Sequence, residues 1–198
     1  VFALAITLLL ISTSPPSTFI QIKKFTFDLL PFIMCITLIV LIWHEHFVFY
    51  YRYGLRNSKV VFLNTLFLVI VLFYVYPLKF LTKLSLFMIA APFEIDWLLQ
   101  DLTGMMKGGH MADLMIIYGV GAASVYFVLM LMYRYALKKA DELELNEIEL
   151  FDTKTSIRTN QLMCVLPLLS VVIAAIFYSD VYAGAYSGIT YFLYGPVM

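Results

Sequence analysis

The chain has 198 residues, of which 63% are apolar and only 13% are charged, and its mean hydropathy is +0.91. Soluble domains carry about 25% charged residues, so the composition excludes an ordinary soluble globule. Thirteen basic residues balance thirteen acidic ones, which leaves no basic surplus of the kind that attracts nucleic acid. Two cysteines, Cys35 and Cys164, are too few for a disulfide framework or a thiolate metal site.

Apolar segments long enough to cross a bilayer recur along the chain. A helix needs about 20 apolar residues to span the hydrocarbon core. On this basis the sequence predicts an all-α, polytopic membrane protein with six transmembrane helices in a single domain, 1–198. The predicted spans are 1–12, 28–51, 58–81, 112–135, 157–179 and 181–198. The first is shorter than a bilayer requires, so we expect residues preceding Val1 to complete it.

Basic residues are divided unequally between the two sides of this topology. One side carries five and the other eight, namely Arg52, Arg56, Lys59, Arg134, Lys138, Lys139, Lys154 and Arg158. The positive-inside rule predicts that the richer side, with both termini, is cytoplasmic. The same side contains the acidic segment 141–152, whose six carboxylates predict a solvated link between two spans.

The second predicted span contains a polar triplet, His44-Glu45-His46. A metal site is disfavoured, because residues two apart lie about 200° apart around a helix and the two histidines cannot reach one ion. Ionisable groups inside a membrane tend instead to face a bundle interior or an aqueous cavity. We therefore expect an interhelical polar network of His46, Glu45 and Asn64, the last of which lies in the third span.

No motif in the chain predicts catalysis or a cofactor. A Gly-x-Ser-x-Gly elbow and a Gly-x-x-x-x-Gly-Lys phosphate loop are both absent from the sequence, so we expect neither an enzyme nor a bound cofactor or metal. Tyr118-Gly119-Val120-Gly121 superficially resembles a carbonyl selectivity filter, but its order is wrong and it lies inside an uninterrupted apolar helix. Gly119 and Ala123, four residues apart, predict close helix packing instead.

The N-terminal apolar segment carries large aliphatic side chains on one face. At 100° per residue, Leu4, Leu8 and Ile11 lie within about 60° of one another, and Thr7 lies about 60° to one side of Leu4. On the pattern alone, such a stripe predicts packing or lipid contact.

Four stretches of the chain carry a resemblance to a known family. One is Trp43-His44-Glu45-His46, which resembles a Trp-x-x-His pattern of that family. Two others, Phe62-Leu63-Asn64 and Arg158 to Leu169, are similar to parts of the family's third and fifth helices. The fourth is Val1 to Leu10, which is similar to the stretch that follows an Arg-x-x-x-Phe-Ser-Asp-Gly motif. These are features of the lysosomal potassium channel family of transmembrane protein 175 and its prokaryotic six-helix relatives. The motif itself is missing from the chain, and we expect it to precede Val1. The single helix set is similar to the prokaryotic form.

The resemblance implies a potassium-permeable channel in a prokaryotic cell membrane. It implies a homotetramer in which the first helices of four subunits line a central pore for potassium ions. Its narrowest layers, hydrophobic in place of a carbonyl filter, fall at Leu4, Leu8 and Ile11, and its selectivity layer falls at Thr7. Rings of aliphatic side chains can gate a pore by excluding water, while hydroxyl oxygens are ligands for a partly dehydrated cation.

Two other classes of function stay open on the residues alone. A proton-coupled secondary transporter would use His46 and Glu45, and a non-conducting membrane scaffold subunit would use the acidic segment 141–152 as a docking surface. A channel should change its potassium-to-sodium preference when Thr7 becomes valine, whereas a scaffold should show no transport at all.

Overall fold

The structure, a computed structural model, describes residues 3–4, 6–7, 17–90, 110–180 and 183–194. Within these residues the chain is helical and has no strand, so the prediction of an all-α fold is confirmed for this part. The long helices are α1, Phe19–Tyr53; α2, Ser58–Ala90; α3, Met111–Lys138; and α4, Glu147–Ile176. A short helix α5, Ala183–Gly188, and a 3₁₀ segment, Ile189–Tyr194, follow them.

Each of the helices α1 to α4 is long and apolar enough to cross a bilayer. The stretches that qualify are Asp28–Tyr53, Ser58–Thr82, Met111–Lys138 and Glu147–Ile176. At 1.5 Å per residue, even the 25-residue stretch Ser58–Thr82 is about 37 Å long, which exceeds the roughly 30 Å hydrocarbon core. The chain is therefore a membrane protein whose four long helices are each long enough to extend from one headgroup layer to the other.

The helix that contains the fifth predicted span, 157–179, begins earlier than the apolar run. α4 starts at Glu147 because Asn146 caps it: the Asn146 side chain accepts a hydrogen bond from the backbone of Glu149, whose carboxylate accepts one from the backbone of Asn146. Part of the acidic segment 141–152 is consequently helix and not a link. The apolar run in the sequence therefore marks only part of α4, which begins ten residues before the predicted span.

The described structure differs more from the last predicted span, 181–198, than from the fifth. Its described part consists of α5 and the 3₁₀ segment, each six residues long. Neither length of helix can span a bilayer. The serine and threonine hydroxyls of this region bond to nearby backbone carbonyls, as Ser187 does to Ala183 and Thr190 does to Ser187. The six-helix architecture therefore stays a prediction.

A tight connection joins α1 to α2. Gly54 has φ +55°, a left-handed conformation that glycine adopts without steric cost, and its N–H donates to the carbonyl of Tyr50 at 3.0 Å. Asn57 then caps α2, since its Oδ1 accepts a bond from the N–H of Val60 at 3.1 Å. α1 and α2 are thus antiparallel neighbours.

The chain divides into two compact units, Val1–Trp43 with Leu72–His110 and His44–Val71 with Met111–Met198. In the first unit, Cys35 and Ile39 of α1 are buried against Val75 and Leu78 of α2. These residues recur at intervals of three or four, which places each pair on one face of its helix. A narrow apolar stripe therefore joins α1 and α2 in this unit.

In the second unit, α3 and α4 approach each other closely at Gly119. A Cβ atom at this position would lie 2.7 Å from the backbone oxygen of Pro167 in α4. Small residues allow helix backbones to approach in this way within membranes. Gly119 thus packs against α4, and any larger residue would push the two helices apart.

Aromatic rings connect the end of α1 to α3 and α4 in the same unit. The ring centroid of Tyr133 lies 5.3 Å from that of Phe49 and 5.9 Å from that of Tyr53, with both contacts edge-to-face. The hydroxyl of Tyr53 lies 2.7 Å from Oγ1 of Thr153, which is fully buried. These contacts anchor the C-terminal end of α1 on both helices.

Candidate functional site

The N-terminal segment is helical at its described residues 3, 4, 6 and 7. Leu4 is 51% exposed, and Thr7 is also exposed. The hydroxyl of Thr7 donates to the carbonyl of Ala3 at 2.8 Å. This bond uses the hydroxyl hydrogen and leaves the oxygen lone pairs as acceptors or cation ligands. Leu8 and Ile11 lie outside the described residues.

The polar triplet of α1, residues 44–46, lies in the second unit and faces α2 through His46. Nε2 of His46 lies 2.6 Å from Oδ1 of Asn64, so Nε2 carries the hydrogen that the amide oxygen accepts. The half-buried imidazole stacks on the ring of Phe67, with centroids 5.0 Å apart and an interplanar angle of 6°. It also contacts the ring of Tyr50 at 5.0 Å. A directional bond with aromatic support thus joins the two membrane helices.

Glu45 faces a different side of α1. It precedes His46 by one residue and therefore points about 100° away around the helix. Its side chain is exposed. Of the three residues expected to form a network, the structure joins His46 to Asn64 and places Glu45 on a different face of α1.

Sequence reasoning missed Phe67 as a partner of His46. Phe67 is three residues after Asn64, so both side chains lie on the same face of α2, and this spacing was available in the sequence. The sequence does not show which face of α2 meets α1, because apolar residues lie all around both helices. Among the described residues, no group of three or more histidine, cysteine or carboxylate side chains could hold a metal ion.

A second polar contact joins the start of α3 to the residues that follow α4. The hydroxyl of Tyr178 donates to a carboxylate oxygen of Asp113 at 2.9 Å. This hydrogen bond raises the pKa of Tyr178, because it is made by the neutral phenol and because the carboxylate charge disfavours a phenolate. The contact is solvent-exposed and links two helix ends.

The chain is similar over its whole length to proteins of known class. A relative named "Potassium channel" from Marivirga tractuosa is 42% identical over 201 residues, which cover 100% of this chain and 81% of the relative. A crystal structure of a variant of the potassium channel MtTMEM175, in complex with a Nanobody-MBP fusion protein, superposes with a TM-score of 0.88 at 40% identity. The match covers 99% of this chain and 85% of that chain. No protein-family profile matches the chain.

The helical membrane fold and these two matches define the class of protein as a membrane channel and not an enzyme. Identity of this level across the whole chain also identifies the family. The chain belongs to the potassium channel family of transmembrane protein 175, in agreement with the resemblance seen in its sequence.

Proposed function

We propose that this chain is the pore-forming subunit of a homotetrameric, potassium-permeable channel. The observation that carries the proposal is its similarity over its whole length to a relative named "Potassium channel", at 42% identity, and to a solved potassium channel structure, at 40% identity. Helices α1 to α4, each suited to a bilayer, are consistent with this role. The channel acts in the cell membrane of a prokaryote with both termini in the cytoplasm, an orientation supported by the distribution of basic residues.

The pore is closed by hydrophobic side chains in place of a carbonyl filter. Leu4, Leu8 and Ile11 form the constriction, and Thr7 forms the selectivity layer. With fourfold symmetry, each residue occurs once per subunit around the pore axis and builds a complete ring. The exposure of Leu4 and Thr7 is compatible with this role, because a pore-lining side chain is not buried within its own subunit. Potassium is the permeant ion, and no other cofactor takes part.

The His46–Asn64 pair has a structural role in this proposal. Its hydrogen bond is directional, so it fixes both the rotation and the depth of α1 relative to α2, which a purely apolar contact does less well. Glu45 carries its charge on a different face of α1.

Potassium flux from proteoliposomes tests the proposal. Leu4→Ala removes one aliphatic ring from the constriction, so we expect its flux to exceed that of the wild type. Leu41→Ala is a matched control, because Leu41 is 47% exposed on the membrane span of α1 and lies outside the proposed pore. Its flux should equal that of the wild type.

The same assay separates the alternatives. Flux no higher than that of empty liposomes, from folded protein with its complete N-terminus, would contradict the channel and favour a scaffold. Uptake driven by a proton gradient and abolished by His46→Phe would favour a coupled transporter. Channel flux that Leu4→Ala leaves unchanged would place the constriction elsewhere.

A further inference from the structure

Four exposed basic side chains lie on two segments that contact each other through Tyr135, namely residues 56–59 and the end of α3. We name as the basic patch the residues Arg56, Lys59, Arg134 and Lys138. Two neighbouring cations are paired, Arg52 with Asp152 at 3.8 Å and Lys139 with Glu142. No ion pair within the described part of the chain involves a residue of the basic patch. Within the described part of the chain, these four positive charges therefore have no carboxylate at ion-pair distance.

Tyr135 brings the two segments of the basic patch together. Nδ2 of Asn57, in the connection, donates to the hydroxyl of Tyr135 at 2.8 Å. Nζ of Lys59 lies over the Tyr135 ring, 5.2 Å from its centroid, in a cation–π contact. The ammonium of Lys59 is thus held beside the part of α3 that carries Arg134 and Lys138. Those two residues are four apart on one helix face, where like charges repel each other unless an anion lies between them.

The basic patch lies at helix ends that are long enough to reach the lipid headgroups. Lys59 is the second residue of α2, and Lys138 is the last residue of α3. The spans that contain them, Ser58–Thr82 and Met111–Lys138, are both longer than the hydrocarbon core, a length that suits these ends to the phosphate layer. Just inside the membrane from Lys59, Val61 and Phe62 are 53% and 67% exposed and offer an apolar surface to acyl chains.

We propose that the basic patch binds an anionic phospholipid. Its guanidinium and ammonium groups contact the headgroup phosphate, Tyr135 positions Lys59 for this contact, and the exposed side chains of Val61 and Phe62 contact the acyl chain. Basic clusters at the end of a membrane helix attract anionic lipids, and guanidinium groups match the geometry of a phosphate. Bound lipid also relieves the repulsion between Arg134 and Lys138. The site is independent of the proposed pore, since none of its residues belongs to the constriction.

Titration of the detergent-purified protein with short-chain phosphatidylglycerol, followed by the shift in melting temperature, measures this binding. Each cation near an anionic headgroup contributes about 1 kcal/mol, or about fivefold in affinity, so Lys59→Gln with Arg134→Gln should weaken binding about 25-fold. Lys154→Gln with Arg158→Gln is the matched control, because it removes two exposed cations of α4 from the same predicted side of the membrane. Its affinity should change less than about twofold.

Three further arms make the result decisive. Lys59→Arg with Arg134→Lys retains the charges and should retain binding, which separates loss of the site from loss of folding. Short-chain phosphatidylcholine should give no comparable shift. Equal weakening in the patch and control variants, or none in either, would overturn the proposal. Stabilisation by inorganic phosphate alone, as large as that by phosphatidylglycerol, would assign the site to free phosphate and overturn the lipid as its ligand.

Discussion

Helices α1 and α3 are both long and apolar, but the rest of the chain covers them to very different degrees. Half of the residues in an 18-residue apolar stretch of α3 are buried within the chain, against 17% of those in the corresponding stretch of α1. The two stretches are nearly equally apolar. Hydropathy therefore reports that a helix enters a membrane, and it does not report which helices it contacts there.

The contacts of the two helices explain this difference. α3 packs closely on α4 because Gly119 has no side chain to separate the backbones. α1 keeps large apolar side chains on its surface, such as Leu30 at 55% and Leu41 at 47% exposure. In lipid an exposed leucine carries no penalty, so these side chains do not drive α1 against its neighbours. Polar contacts of α1 such as that of His46 with Asn64 should therefore matter individually, and the following variants test this contrast.

Gly119→Ala should have the largest effect on stability. The added Cβ would lie 2.7 Å from the Pro167 oxygen, so the helices must separate, and we expect a loss of about 1–3 kcal/mol. Unfolding of the purified protein by denaturing detergent measures it. Gly188→Ala is the control, because a Cβ there meets nothing within 4 Å. Equal stability of the two variants would contradict close packing of α3 on α4.

Asn64→Leu should weaken the contact between α1 and α2. The variant leaves the ring nitrogen of His46 without its present partner inside the membrane, at an expected cost of about 1–2 kcal/mol. Adding His46→Phe removes both polar groups and should recover part of the loss. A double-mutant cycle on unfolding free energies measures the coupling, and strictly additive losses would show that the bond contributes nothing.

Ser170→Ala should have a smaller effect within the well-packed region. Its buried hydroxyl donates to the carbonyl of Ser187 at 3.0 Å, but that carbonyl also accepts a bond from Thr190 at 2.7 Å. Since one bond to the carbonyl remains, we expect a loss of about 0.5–1 kcal/mol. Ser124→Ala, which removes only a bond within α3, serves as the control. A loss as large as that of Gly119→Ala would disagree with this order.

Tyr178→Phe should have the smallest effect, and one that depends on pH. The bond to Asp113 raises the pKa of Tyr178 above its ordinary 10.0, so its stabilisation is present below pH 10.0 and is lost as the pH rises through the raised value. The variant should melt slightly below the wild type at neutral pH, and the gap should close in strong alkali. A gap that is constant with pH would show that the bond does not cause it.

Apolar runs in the sequence located the four long helices, but not all their limits. α4 begins at Glu147 because of the capping box at Asn146 and Glu149, a signal that is readable in the sequence but that hydropathy hides. The short α5 and 3₁₀ segment were not foreseen in the region of the last predicted span. Hydropathy follows the transfer of side chains into lipid, whereas hydroxyl-to-carbonyl bonds such as that of Thr190 determine the local backbone.

The candidate site was predictable only in part. Asn64 was an expected partner of His46 because polar groups inside a membrane seek one another, but the stack on Phe67 depends on the rotation of α2. The roles of Leu4, Thr7, Leu8 and Ile11 came from the family resemblance and stay predictions. A pore built by several subunits is not visible in the pattern of one helix, because its lining resembles an ordinary lipid-facing stripe.

The most direct test of the proposed pore is the potassium-to-sodium flux ratio of Thr7→Val in proteoliposomes. Thr37→Val is the matched control: Thr37 is also exposed, lies in the span of α1 and donates to the carbonyl of Ile33 at 2.9 Å, as Thr7 does to Ala3. We predict that Thr7→Val lowers the ratio because it removes a ring of oxygen ligands, while Thr37→Val leaves the ratio at the wild-type value. An unchanged ratio in Thr7→Val, or an equal fall in both variants, would contradict a selectivity layer at Thr7.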